Sequence, residues 1–287
     1  MLNVIAIVAG MAVPGAVAQA PLLPPATLVE ARVSPSDRVW QALDLQMIMP
    51  ILRDEAVAEA ADMEADGLIA GAGKPWAEAV ADVHDVARLE GLFREGIAAA
   101  LSAADPSAID RGLAFQESGL GRRLLDLELA ARRAMLDDEV EAQARDGFAR
   151  ALARGDLRAQ QVLRLIDEAD LVAPNVTGAL NASLAFSRGF EEAGGFDMPL
   201  SEEQLLAETL AQRGQIEVET AEWLRSYLLL SYSSLSDAEM ETFIRYASSR
   251  EGRAVAQVLF GAFDRVLQRT SFELGLAAAL RLQGREL

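Results

Sequence analysis

Helical periodicity is the feature that most constrains the fold of this 287-residue chain. From Ser36 onward, apolar residues recur at steps of three and four residues, which is the spacing of one face of an α-helix. No segment of comparable length alternates apolar and polar residues as a half-buried strand does. The sequence therefore predicts an all-α fold, arranged as a helical bundle.

Helix-start signals divide this pattern into separate helices. Residues 201–204 (SEEQ) and 236–239 (SDAE) both fit capping boxes, in which a serine and an acid or amide three residues later satisfy each other's backbone N–H groups. Asp105 followed by Pro106 fits a capped first turn. We expect helices to begin at these three places.

The apolar spacing also predicts how far several helices extend. We predict one apolar stripe over 36–57 with a kink at Pro50, one amphipathic helix over 80–97, one long helix over 119–154, and a last helix over 249–282.

Two segments, 115–124 and 246–255, share one spacing at an offset of 131 residues. Each has an aromatic residue, then a serine, then a glycine at three-residue steps: Phe115, Ser118 and Gly121, and Tyr246, Ser249 and Gly252. Serine is a favoured N-cap residue, and glycine allows close approach of a neighbouring backbone. We interpret both segments as helix corners with a structural role, produced by duplication of a helical unit.

This duplication predicts the domain organisation. We expect two diverged helical repeats, over 36–172 and 173–287, that pack together. A proline-rich arm over 19–35 precedes them.

The N-terminus predicts export. A run of about ten apolar residues precedes Pro14, and Ala16 and Ala18 fit the small-residue rule for cleavage after Ala18. We therefore expect a signal peptide over 1–18. The abundance of Ala, Leu and Arg indicates a bacterial source, so the expected location is the periplasm or the exterior.

The second corner lies in a longer segment that resembles a known family. Residues 235–263 are similar to the exported bacterial family called "domain of unknown function 2059", through Leu235, Ser236, Asp237, Tyr246, Ser249 and Gly252. The first copy, around 105–136, matches this family only weakly. The resemblance implies an α-helical, secreted or periplasmic protein with no established activity, and it supplies no catalytic residue.

Composition excludes several kinds of site. A net charge of −18 argues against binding to nucleic acid or to anionic lipids. The chain has no cysteine, and its single histidine, His84, has no second histidine with which to form a zinc motif. We predict that His84 is a surface residue, and we assign no catalytic, cofactor-binding or metal-binding residue.

Three functions remain open. The first is a non-enzymatic protein of the bacterial envelope that binds another protein. The second is a carrier of an apolar small molecule held between the two repeats. Tyr227, Tyr232 and the leucines at 228–230 either line a ligand cavity or a partner groove or belong to the core, and hydrophobicity on most sides of the helix favours the core. The third is a cell-wall hydrolase that uses carboxyl groups.

Overall fold

The computed structural model describes residues 34–67, 69 and 74–284. These residues form thirteen α-helices and one short 3₁₀ helix, with no strand among them, so the all-α prediction is confirmed. The predicted signal peptide over 1–18 and the arm up to residue 33 lie outside the described residues. The α-helices are α1 (Pro35–Ala42), α2 (Ile48–Ala65), α3 (Trp76–Val83), α4 (Val86–Ala103), α5 (Pro106–Gln116), α6 (Gly119–Ala134), α7 (Asp138–Ala153), α8 (Leu157–Glu168), α9 (Val172–Glu192), α10 (Glu202–Ala211), α11 (Arg213–Tyr232), α12 (Asp237–Ala247) and α13 (Arg250–Leu282).

The predicted helix starts are confirmed. Ser201 and Ser236 form complete capping boxes at the starts of α10 and α12. The Asp105 carboxylate accepts a hydrogen bond from the Ser107 N–H at 3.0 Å, at the start of α5. Across the described residues, no helix is both long and apolar enough to cross a membrane.

The predicted stripe over 36–57 is interrupted earlier than expected. Helix α1 ends at Ala42, and Asp44 adopts a left-handed backbone (φ 46°) before the 3₁₀ helix Leu45–Met47. Pro50 lies in the first turn of α2, where the backbone N–H that proline lacks would have no partner within the helix. The predicted kink at Pro50 is therefore wrong.

Two other predicted helices are each broken into two. The helix predicted over 80–97 ends at Val83, and Asp85 caps α4 by accepting a hydrogen bond from the Arg88 N–H at 3.0 Å. The helix predicted over 119–154 is interrupted between α6 and α7, where Asp137 accepts from the Glu139 N–H at 2.9 Å. At both breaks an aspartate carboxylate takes the place of a backbone carbonyl, which apolar spacing alone does not reveal.

The apolar interior consists of three clusters. The first core lies between α1, α2, α4, α5, α6 and α13, and the second core between α6, α7, α8, α11 and α12. A smaller cluster joins α2 and α3 to the C-terminal part of α13. Each cluster contains residues from both sides of position 172, so the two predicted repeats share their interior. The boundary itself stays a prediction.

Helix α13 crosses α9 with no side chain between the two backbones at Gly189 and Gly275. It has 33 residues and is therefore about 50 Å long. A Cβ atom on Gly189 of α9 would overlap the Phe272 carbonyl oxygen, and one on Gly275 of α13 would overlap the Phe186 carbonyl oxygen. The two glycines therefore allow the helices to touch along their backbones.

This crossing gives a prediction with a matched control on the same helix. Gly189→Ala should lower the free energy of unfolding by about 1–3 kcal/mol, because the added methyl group forces the helices apart. Gly178 of α9 has open space around it, so Gly178→Ala should raise stability by about 0.5–1 kcal/mol through helix propensity. Urea denaturation of both variants measures this difference. Equal effects of the two substitutions would contradict the close crossing.

Candidate functional site

The two predicted corners are helix starts capped by serine. The Ser118 hydroxyl accepts a hydrogen bond from the Gly121 N–H at 3.1 Å, at the start of α6. The Ser249 hydroxyl accepts from the Gly252 N–H at 3.0 Å, at the start of α13. Each serine thus satisfies one of the N–H groups that a helix start leaves without a partner.

The glycine of each corner lies against the helix that precedes it. A Cβ atom on Gly121 would overlap the Phe115 carbonyl oxygen, and one on Gly252 would overlap the Tyr246 carbonyl oxygen. The glycines therefore let the last turn of one helix fold back onto the first turn of the next.

The two corners contact each other. The rings of Phe115 and Tyr246 stack with centroids 3.8 Å apart and planes 12° from parallel. The Tyr246 hydroxyl donates to the Gly112 carbonyl at 3.0 Å and accepts from the Gln116 amide at 3.3 Å. Corresponding residues of the two segments thus meet, and both ends of α12 lie 131 positions after the corresponding ends of α5.

Ion pairs join the corners at their rim. Arg111 of α5 contacts Glu251 of α13 at 2.9 Å, and Arg123 of α6 contacts Glu239 of α12 at 2.6 Å. All four side chains are at least partly exposed, so solvent weakens both pairs and they contribute little to stability. The stacked rings and the capped starts are the main contacts.

Gly252→Val tests the corner directly. The valine side chain has no room beside the last turn of α12, so the melting temperature should fall by several degrees. Gly147 of α7 is surrounded by open space, and Gly147→Val is the control for introducing a β-branched residue into a helix. A melting temperature that is no lower for Gly252→Val than for Gly147→Val would refute the packing role of this glycine.

A cavity of about 110 Å³ lies beside the stacked corners. It is the seam between the first and second cores, because its walls come from both, and we call it the corner cavity. Its lining is apolar apart from a few polar groups. The lining residues are Leu43, Gln116, Leu124, Leu125, Glu128, Leu165, Ala169, Leu171, Leu228, Tyr232, Phe243, Tyr246, Ala247, Gly252, Val255, Ala256, Leu259 and Phe260.

Glu128 is the acidic group of the corner cavity. It is only 4% exposed, and its carboxyl group accepts a hydrogen bond from the Tyr232 hydroxyl. The Tyr227 hydroxyl donates to the backbone carbonyl of Glu128 at 3.0 Å and so fixes this turn of α6. Burial raises the pKa of Glu128 to about 8, although the Tyr232 hydrogen bond works in the opposite direction. The carboxyl group is therefore mostly protonated at neutral pH.

The nearest buried cation on the same helix has its own partner. Arg132 is 3% exposed, and two of its nitrogens contact the Glu55 carboxylate of α2 at 2.6 and 2.7 Å. These two contacts match the bidentate geometry that is preferred between a guanidinium and a carboxylate. Arg132 therefore forms its ion pair with Glu55 and not with Glu128. The charge of Glu128 is removed by protonation instead.

The sequence identified only part of this site. Tyr232 and Leu228 do line the cavity, and Tyr227 is fully buried beside it. Glu128 was missed, although it lies four residues after Leu124 and four before Arg132, on one buried stripe of α6. An acidic residue on such a stripe is the signal that could have found it.

The prediction that His84 is a surface residue is wrong. His84 is 7% exposed, and its Nδ1 lies 2.9 Å from the Val80 carbonyl oxygen. The reason is the helix break after Val83, which turns the side chain inward. Burial lowers the pKa of His84, with an opposing contribution from the Val80 carbonyl. The neutral imidazole is therefore the stable form in this position.

The described residues contain no group of three His, Cys, Asp or Glu side chains that is placed to hold a metal ion. Comparisons of the chain with protein-family models, with curated proteins and with solved structures find no match. The chemistry of the corner cavity is therefore inferred from the residues that line it.

The raised pKa of Glu128 predicts how stability depends on pH. Between the ordinary value of 4.5 and the folded value of about 8, the folded state binds more protons at this group than the unfolded state. The free energy of unfolding should therefore fall as pH rises through this range, by about 1.4 kcal/mol per pH unit from this group, and level off above it. Glu128→Gln removes this contribution.

Urea denaturation at pH 5.5 and 7.5 measures the effect. Glu128→Gln should gain about 2–3 kcal/mol relative to the original protein between these two pH values. Parallel pH profiles of the two proteins would show that Glu128 ionises normally and would contradict its burial as a neutral group.

Proposed function

We propose that the protein is an exported, non-catalytic binding protein of the bacterial envelope whose partner is another protein. The supporting observation is a concentration of exposed apolar side chains. Of the eight large apolar side chains that are exposed in the described residues, four lie within 198–218: Met198, Leu206, Leu210 and Val218. We infer that they lie on one face of the molecule, which we call the α10–α11 apolar surface. Concentrated exposure of this kind is typical of a contact surface rather than of a solvated helix.

Acidic side chains accompany this surface. Glu202, Glu203 and Glu208 are exposed on α10, and Glu217 is exposed on α11. Interfaces commonly combine an apolar centre with a charged rim of complementary sign. The partner we infer therefore has an apolar patch bordered by Lys and Arg.

Export and family membership are part of the same proposal. The predicted signal peptide, with cleavage after Ala18, supports a periplasmic or secreted location. The similarity of 235–263 to "domain of unknown function 2059" supports the same location. The matching bounds of α5 and α12 support an origin of the two corners by tandem duplication.

A carrier of an apolar small molecule is the second candidate function. The corner cavity supports it, because the cavity is apolar and part of its lining, including Leu171 and Phe260, is only partly buried. A carboxyl-dependent hydrolase has less support. Such enzymes pair two carboxyl groups, whereas no second carboxyl group among the described residues perturbs the pKa of Glu128.

The α10–α11 apolar surface can be tested with matched variants. Leu206 and Leu210 are 44% and 50% exposed, and Leu152 and Leu157, on α7 and α8, are 43% and 52% exposed. A photo-crosslinking residue at either position of the first pair should capture one and the same protein in native cells. The same residue at either position of the control pair should not.

The captured protein is then purified and its affinity measured. The double substitution Leu206→Asp, Leu210→Asp should weaken binding at least tenfold, since it places charge in an apolar contact. Leu152→Asp, Leu157→Asp should leave the affinity unchanged. Equal effects of the two double variants, or unrelated products from Leu206 and Leu210, would reject this surface as the interface.

A further inference from the structure

The corner cavity contains a carboxyl group, that of Glu128, whose hydrogen-bonding capacity the fold uses only in part. The Tyr246 hydroxyl is held by the Gly112 carbonyl and the Gln116 amide, and the Tyr232 hydroxyl is directed to Glu128. The Glu128 carboxyl group receives a hydrogen bond at one oxygen, Oε1, from Tyr232. Within the described residues, no further hydrogen bond to this carboxyl group is present. A protonated carboxyl group has one O–H to donate, and here that donor has no partner in the protein.

Among the titratable groups that surround the cavity, Glu128 is the one that titrates in the neutral range. Tyr227 and Tyr232 face it from α11, and burial raises the pKa of both well above the ordinary value for tyrosine. Tyr246 lines the cavity from α12, and burial raises its pKa to about 12. Arg132, which lies on α6 with Glu128, is paired with Glu55 of α2.

The remaining walls add no charge. The cavity-lining residues from α8 and α13 are apolar residues or glycine, as is Leu43, which follows α1. A donor that is neutral at pH 7 and surrounded by apolar atoms suits an uncharged ligand with an acceptor oxygen. A carboxylate ligand would be repelled by the overall charge of −18. An amine ligand would form a buried ion pair with Glu128, and the attraction within that pair must offset the desolvation of both charges.

We propose that the corner cavity binds an uncharged, apolar small molecule through one acceptor oxygen, such as that of a ketone or ester, which receives a hydrogen bond from the Glu128 carboxyl group. This ligand class rests on the second candidate function, that of a carrier. The cavity volume of about 110 Å³ is smaller than the engineered cavity of about 150 Å³ that holds benzene, so a six-membered ring fills the cavity and extends in part through its open side. Any longer part of the ligand must also leave through the open side, where the lining residues are only partly buried.

Cyclohexanone is a suitable probe, because it is a single ring whose oxygen accepts but does not donate. Its affinity for the purified protein is measured by ligand-observed NMR at pH 7 and pH 9.5. We expect the affinity to fall about tenfold or more at the higher pH, because ionisation of Glu128 removes the donor. In Glu128→Gln the amide still donates, so binding should persist and become independent of pH.

Three further arms locate the interaction, identify it and separate it from the protein-partner proposal. Ala256→Leu fills the cavity from α13 and should abolish binding, with the fold checked by circular dichroism and melting temperature. Methylcyclohexane, which has the same ring but no oxygen, should show no pH dependence. The Leu206→Asp, Leu210→Asp variant should bind cyclohexanone normally, so that failure of the protein-partner proposal is distinguishable from failure of this one.

Four results would overturn the proposal. Absence of cyclohexanone binding would show that the cavity is not a ligand site of this class. Unchanged binding in Ala256→Leu would place the ligand elsewhere. Affinity that does not change with pH in the original protein would remove Glu128 from recognition. Tighter binding of cyclohexylamine as pH rises through 8 would identify a cationic ligand instead.

Discussion

The backbone contact between α9 and α13 at Gly189 and Gly275 is the constraint on which the rest of the structure depends. Because the two helices touch there, α13 is fixed against α9 near its C-terminal end. The same helix supplies Val255, Val258 and Ala262 to the first core and Leu274 to the third cluster. One long helix thereby holds two of the three clusters together. Its first turn, at Gly252, forms one of the two corners.

The corner cavity follows from this arrangement. Helix α13 closes the first core, whereas α11 closes the second, and α6 contributes to both. Where the two cores meet, the stacked rings of Phe115 and Tyr246 fill part of the seam. The remaining space is the cavity, and Glu128 of α6 faces it. A buried carboxyl group lowers stability at neutral pH, and destabilising groups of this kind are concentrated at functional sites.

The sequence was sufficient where local chemistry decides the structure. Ser118 and Ser249 cap helices because their hydroxyls reach an N–H three residues later, and this depends only on nearby residues. The sequence was insufficient where a helix cap competes with an apolar pattern, as at Asp85 and Asp137. One continuous helix and two helices separated by a cap are both compatible with the same apolar spacing.

Burial of His84 and Glu128 required the tertiary structure. The break after Val83 reorients His84, and Glu128 is buried against Tyr232, 104 residues further along the chain. No spacing rule relates residues that far apart. The starts of α5 and α12 could be predicted, but the stacking of their aromatic residues on each other could not.

The most direct test of this account is the ionisation of Glu128 itself. Glutamate labelled with ¹³C at its side-chain carboxyl group allows a titration by NMR, with the Glu128 signal assigned by its absence in Glu128→Gln. The account predicts a midpoint near pH 8. A midpoint near the ordinary value of 4.5 would show that the carboxyl group is solvated and charged at neutral pH, and it would contradict both the burial of Glu128 between the two cores and its role as a ligand donor.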